Sequence, residues 1–144
     1  MNNIYKGAYG ENFAVEYLKK IKYKIIARNC KFAGCEIDIV AICTKKAQKR
    51  KIINEFKRDQ IKSKTALKCR LTALEDIMVF VEVKYSSSRI YGEPMERVDI
   101  KKQKQIIKAA EGFIYKNNIT MPCRFDVVSI VGKEITHIED AFNA

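Results

Sequence analysis

The 144-residue chain is poor in residues that break or staple a backbone: two prolines, six glycines, and five cysteines without a Cys-x-x-Cys pair. So little proline and glycine excludes a collagen-like rod and a Pro-rich linker, and a hydrophobic fraction of 47% excludes a disordered tail. The odd set Cys30, Cys35, Cys43, Cys69 and Cys123 has no secretory context, which argues against a disulfide framework. The single histidine, His137, is far along the chain from every cysteine but Cys123, so no zinc spacing exists. Reduced, mostly buried thiols are expected. Long apolar runs are also missing: stretches such as Ile77–Val81 fall far short of the ~20 residues that span a bilayer. The opening MNNIYKGAYGEN has no charged-then-apolar signal pattern. These absences lead us to expect a soluble, cytoplasmic protein whose residues 1–144 form one domain, large enough to bury roughly two-thirds of its unfolded surface.

Positive charge is in excess. Lys and Arg number 28 against 17 Asp and Glu, a net charge of +11. Such an excess favours a polyanionic partner, nucleic acid or an anionic membrane surface. It is concentrated in Thr44–Glu75, where eleven basic residues face three acidic ones. Lys45, Lys46, Lys49, Arg50 and Lys51 head this segment, and Ile53, Phe56, Lys57, Gln60 and Ile61 suggest a helix within it. Two readings stand side by side: a basic arm that grips backbone phosphate, or a solvated and partly disordered insertion.

Around this segment the pattern alternates between helices and strands. Tyr5–Lys20 carries Tyr9, Phe13, Ala14, Tyr17 and Leu18 at helical spacing, and Gly7 and Gly10 suggest close backbone packing at its start. Tyr23–Arg28 is β-prone, and Phe32–Gly34 reads as a turn. Glu36–Cys43 and Ile77–Lys84 are the clearest strands. Ser86–Pro94 reads as a loop, and Asp99 offers an N-cap for a helix from Ile100 to about Asn117 with an apolar stripe of Ile100, Ile107, Ala110 and Ile114, and Ile106 and Phe113 beside it. Arg124–Val131 and Glu134–Glu139 form a terminal strand pair. The order predicts an α/β fold, a mixed sheet with helices packed on it.

Side chains alternate along a strand, so parity decides which residues can meet. Ile77, Val79, Val81 and Val83 form one aliphatic face, and Ile37, Ile39 and Ala41 another. Their opposite faces run from apolar to charged, ending in Glu82 and Lys84 on one strand and in Asp38 and Glu36 on the other. An antiparallel register with Ile42 opposite Met78 would set Val40 against Phe80, Asp38 against Glu82 and Glu36 against Lys84. Two half-buried carboxylates held about 5 Å apart repel and prefer to share a proton. A divalent cation between them removes that repulsion, and a neighbouring lysine can orient water or neutralise a phosphate oxygen. This chemistry suits phosphodiester hydrolysis. The Glu-x-Lys spacing alone carries little weight, since Glu55-Phe56-Lys57 repeats it, and Glu82 with Lys84 could be an ordinary strand-end ion pair.

Gly7-x-x-Gly10-Glu11, Arg28-Asn29, Gly34-Cys35-Glu36-Ile37-Asp38-Ile39-Val40-Ala41, Val79-Phe80-Val81-Glu82-Val83-Lys84, Lys101-x-Gln103, Arg124-Phe125-Asp126-Val127-Val128 and Ala141-Phe142 occur in order. Together they resemble the YraN-like family of predicted endonucleases on the PD-(D/E)xK fold, related to Holliday-junction resolvases. The resemblance implies a restriction-endonuclease-like α/β/α fold, a mixed β-sheet flanked by helices. It matches Asp38, Glu82 and Lys84 to the signature triad and Glu11 to a helix-borne acid. Mg²⁺ or Mn²⁺ is expected on Asp38, Glu82, the Val83 backbone carbonyl and Glu11. The expected partner is nucleic acid, DNA foremost and perhaps branched; a homodimer is compatible, and no membrane is expected.

Read on its own, Glu11 shares a helix face with Ala14 and Leu18 and should point towards the sheet, although an acid near a helix N-terminus is favoured anyway. Gln103 shares the face of Ile107, Ala110 and Ile114, where it either reaches a polar site or makes a structural hydrogen bond. Asp126 has the parity of Val128 and Ile130 and should cap or pair locally. Two departures from the family stand out: Cys35 where a second glycine is usual, and the long insertion at about 44–75. The rival to an endonuclease is a non-catalytic nucleic-acid-binding protein, associated with DNA or with RNA and the ribosome, that keeps the same fold.

Overall fold

Among the described residues nine elements succeed one another: α1 (Asn3–Lys20), β1 (Tyr23–Phe32), β2 (Cys35–Cys43), α2 (Lys45–Arg58), α3 (Lys64–Thr72), β3 (Ile77–Ser86), α4 (Ile100–Asn117), β4 (Cys123–Val131) and β5 (Glu134–Phe142). The structure is a computed structural model that describes residues 3–58, 63–87 and 98–144, without the side chains of residues 3–6. Most of the Ser86–Pro94 loop, and Gln60 and Ile61 of the insertion, lie outside the described residues.

The strands form one sheet in the order β1-β2-β3-β4-β5, parallel between β3 and β4 and antiparallel elsewhere. It is a mixed α/β sheet flanked by helices, consistent with the restriction-endonuclease-like architecture. On one face Ala14 and Leu18 of α1 pack on Ile39, Ala41, Val79, Val81, Val128 and Ile130. On the other, Ile106, Ala109 and Phe113 of α4 pack on Val40, Met78, Phe80, Phe125 and Val127. The stripe of α4 is rotated from the expected one: Ile106, Ala109, Ala110 and Phe113 are buried, while Ile100 is 70% exposed.

Local chemistry explains the joints. Ala33 and Gly34 both take positive φ, 50° and 74°, so β1 and β2 are joined by a two-residue turn closed by the Phe32–Cys35 pair. Cys35 therefore serves as the first residue of β2. The Asp99 side chain accepts the Lys102 N–H at 2.7 Å and caps α4, and Asn118 ends that helix in the left-handed conformation. A Cβ on Gly10 would sit 2.6 Å from Tyr85 Cβ, so glycine is what lets α1 lie close on β3. Gly7 has open space around it and carries no such role.

The insertion is helical where described. α2 buries Ala47 and Ile52, Lys45 N–H donates to the Asp76 side chain at 2.7 Å, and the Gln48 amide donates to the Cys43 and Glu75 carbonyls. A loose, solvated segment was one expectation; these contacts tie the root of the insertion to both ends of the hairpin instead. The cysteines are all free, but only Cys43 is buried, while Cys69 and Cys123 are exposed. The expectation of mostly buried thiols fails because the strand ends and the insertion that carry them lie at the surface. No helix among the described residues is long and apolar enough to cross a membrane.

Candidate active site

The β2–β3 register has Ile42 opposite Met78 and Val40 opposite Phe80, as the polarity gradient predicts, and it runs as far as Ile39 opposite Val81. The next two expected rungs are not formed. Beyond Ile39 the alternation of β2 breaks: Ile39 belongs to the α1-side core, but Ile37 joins the α4-side core. Glu36 stays with β1, opposite Lys31 and 4.0 Å from its ammonium, so the expected Glu36–Lys84 pair does not exist. Asp38 stands in the resulting fork. Its Oδ2 accepts the Val83 N–H at 2.7 Å, taking the place of a backbone carbonyl where the ladder ends.

Glu82 lies beside it on β3 with a side chain only 3% exposed. Lys84 Nζ is 2.8 Å from its Oε1 and Lys102 Nζ is 3.3 Å from its Oε2. The Lys102 contact is an ion pair without hydrogen-bond alignment, because Oε2 is a buried side-chain oxygen with no hydrogen-bond partner. Burial first, then the charge of Glu82, pushes the Asp38 carboxyl up from 3.8 to about 7; Glu11 adds to the rise, while the Val83 N–H and Lys102 oppose it. Half-buried Asp38 and buried Glu82 are thus neighbours, and the positive charge around Asp38 does not offset its burial and the charge of Glu82.

Glu11 points inward as expected, its side chain 18% exposed, and is held 3.5 Å from Arg28 Nη2. It acts on Asp38 electrostatically. Among the described residues, however, no three His, Cys, Asp or Glu side chains gather as a metal cage. Gln103 takes its structural alternative: its amide donates to the Val98 carbonyl at 3.0 Å at the head of α4. Val83 meets Asp38 through its amide. Lys45, Lys46, Lys49, Arg50 and Lys51 lie on α2, exposed, at the opposite end of the hairpin from Asp38.

Two residues at the site escaped the sequence reading. Lys102 heads the buried stripe Lys102, Ile106, Ala109, Phe113, spaced by four, three and four residues, and a lysine in that position was the available signal. Arg28 was visible only as part of a motif, because its pairing with Glu11 spans 17 residues.

The residues fit a divalent ion of the kind that takes one or two carboxylates and completes its shell with water. The Glu82 oxygen that lacks a hydrogen bond and the raised Asp38 carboxyl are the observations that make them fit. Comparison with known proteins adds the family. Residues 10–130 match the model of the uncharacterised protein family UPF0102. The chain belongs to the UPF0102 family, the YraN-like family its motifs resemble. A UPF0102 protein of Clostridioides difficile is 36% identical over 145 residues, covering 99% of this chain and 100% of the relative. One from Persephonella marina is 35% identical over 96% of this chain and 93% of its own length. One from Bacteroides thetaiotaomicron is 31% identical over 94% and 90%.

Proposed function

We propose that this UPF0102 protein is a divalent-metal-dependent endonuclease that hydrolyses phosphodiester bonds of DNA, branched DNA in particular. The observation that carries the reading is the charge shortfall at the fork, where half-buried Asp38 adjoins buried Glu82 and one Glu82 oxygen has no hydrogen bond. The net charge of +11 supports a polyanionic substrate, and the resemblance to junction resolvases supports DNA with branches. Asp38 and Glu82, with the Val83 carbonyl and with Glu11 acting through water, would hold Mg²⁺ or Mn²⁺. When bound, the ion would polarise a phosphate oxygen and make water more acidic.

The chain's own groups do the rest. Asp38 is oriented by the Val83 N–H, a bond that its ionised form accepts more strongly. Lys84, bonded to Glu82 yet partly exposed, can turn its ammonium to an incoming phosphate, orient the attacking water and offset the charge that builds in the transition state. Lys102 holds the other side of Glu82 from α4, and Arg28 fixes Glu11 on the side of α1.

One observation favours a second reading, a nucleic-acid-binding protein without catalysis. Lys84 and Lys102 already face both oxygens of Glu82, so part of the pair's charge is balanced within the chain. A cleavage panel of linear, flapped and four-way DNA with Mg²⁺ or Mn²⁺, run beside Lys84→Ala, separates the two. Metal-dependent cutting that disappears in the variant while DNA binding persists supports the nuclease. Binding of DNA with no cutting of any substrate under either metal makes the second reading correct.

A further inference from the structure

The strongest feature outside the fork is a groove at the other end of the β2–β3 hairpin, between α2 and the C-terminal turns of α1. Its floor is a buried polar network. Fully buried Asp126 accepts from Arg124 Nε at 2.8 Å, from Arg124 Nη2 at 3.0 Å and from the Asp140 N–H at 3.1 Å. His137 Nε2 lies 2.8 Å from the same carboxylate, and its Nδ1 lies 3.3 Å from the Tyr17 hydroxyl. Arg124 also donates to the Tyr23 hydroxyl, and Glu139 joins Arg124 to Lys51 of α2. None of these side chains has an unpartnered buried polar atom. The hydrogen bonding of the floor is therefore satisfied within the chain.

Above it is an open cavity of about 740 Å³, within the range of about 300–1,000 Å³ typical of small-ligand sites. Its rim carries Lys20, Arg50, Lys51, Arg58 and Arg70 against Glu55 and Glu139. Glu139 engages Lys51 and Glu55 engages Arg70, whereas Lys20 and Arg50 hold no ion pair among the described residues. The lining between floor and rim is aromatic and aliphatic, with Tyr17, Ile21 and Ile52. A bare inorganic anion would leave that wall unused, and an apolar molecule would leave the cations unused. A phosphate joined to a flat base uses both, through ion pairing and ring stacking.

We propose that this groove is a second binding site, for a nucleotide unit, either a free mononucleotide or the end of a nucleic-acid strand. It stands apart from the fork and does not depend on hydrolysis there. The test is an NMR titration of the full chain without divalent cations, using adenosine 5′-monophosphate, a short single-stranded DNA bearing a 5′ phosphate, and inorganic phosphate as probes. His137, the only histidine, is a built-in reporter of the floor. The nucleotide, the strand or both should shift its ring resonances. Exposed Lys20 and Arg50 can be changed without touching the core, and the double variant Lys20→Glu/Arg50→Glu should weaken binding about tenfold or more. Tyr17→Leu should weaken it about fivefold and Tyr17→Phe should restore it.

Saturation by the mononucleotide identifies a free-nucleotide site; a response to the strand alone identifies a strand-end site. Equal shifts with inorganic phosphate, no shift of His137 with any probe, or unchanged affinity in the double variant would overturn the proposal. Because the titration reads occupancy without metal, its outcome is separate from that of the cleavage panel.

Discussion

Two aspartates on the strands flanking β3, half-buried Asp38 on β2 and fully buried Asp126 on β4, do the same backbone task and end in opposite electrostatic states. Asp38 accepts the Val83 N–H where the β2–β3 ladder stops, and Asp126 accepts the Asp140 N–H at an irregularity in the β4–β5 ladder. Burial alone would raise both carboxyls. For Asp126, hydrogen bonds from His137 and Arg124 outweigh burial and hold it below its ordinary value. For Asp38, burial is joined by the charge of another carboxylate, Glu82, and it rises to about 7. A buried acid whose charge is fully compensated is a structural strut. One left short of positive charge is a place where an added cation is welcome.

The largest expected effect is catalytic: Lys84→Ala should lower metal-dependent cleavage by at least ~10²-fold with DNA affinity nearly unchanged, as single-turnover and binding assays would show. Next comes stability. Asp126→Ala leaves Arg124 and His137 facing an empty partner and should cost about 3–5 kcal/mol in chemical denaturation. Asp38→Asn in metal-free buffer should cost little or stabilise, since it removes the poorly compensated charge.

A pH series sharpens the contrast. In metal-free protein the folded state holds the Asp38 proton up to about 7, against 3.8 ordinarily, so its contribution to stability falls between those values as pH rises. Asp126 acts in reverse. Its contribution is complete above the ordinary carboxylate value near 4 and is lost as pH falls below it. Denaturation curves of Asp38→Asn should lack the decline towards neutral pH, and those of Asp126→Asn should lack the acid loss. A smaller effect, about 1–3 kcal/mol, is expected for Gly10→Ala, which forces α1 off Tyr85 and moves Glu11 from the fork.

Much of the frame was legible along the chain. The aliphatic strands, the Asp99 cap and the tight packing at Gly10 all follow from local residue types, and the gradient of polarity correctly aligned Ile42 with Met78. Parity also told that Asp126 faces the side of Val128 and Ile130. Parity failed beyond Asp38, because alternation presumes a continuous ladder and β2 leaves β3 there, sending Ile37 to the other core and leaving Glu36 with Lys31. Lys102, Arg28 and the partners of Asp126 from β5 were hidden for another reason: tertiary packing brings them together. The insertion misled through its composition, since two buried side chains, Ala47 and Ile52, with a few backbone-directed hydrogen bonds suffice to dock so charged a helix.

The most direct test of the account is a calorimetric titration of Mn²⁺ into the wild-type protein, Asp38→Asn and Glu82→Gln, with Arg50→Glu as a control away from the fork. The account predicts one bound ion in the wild type and the control, and none in either carboxylate variant. Absence of binding to the wild type, or equal binding to all four proteins, would contradict it.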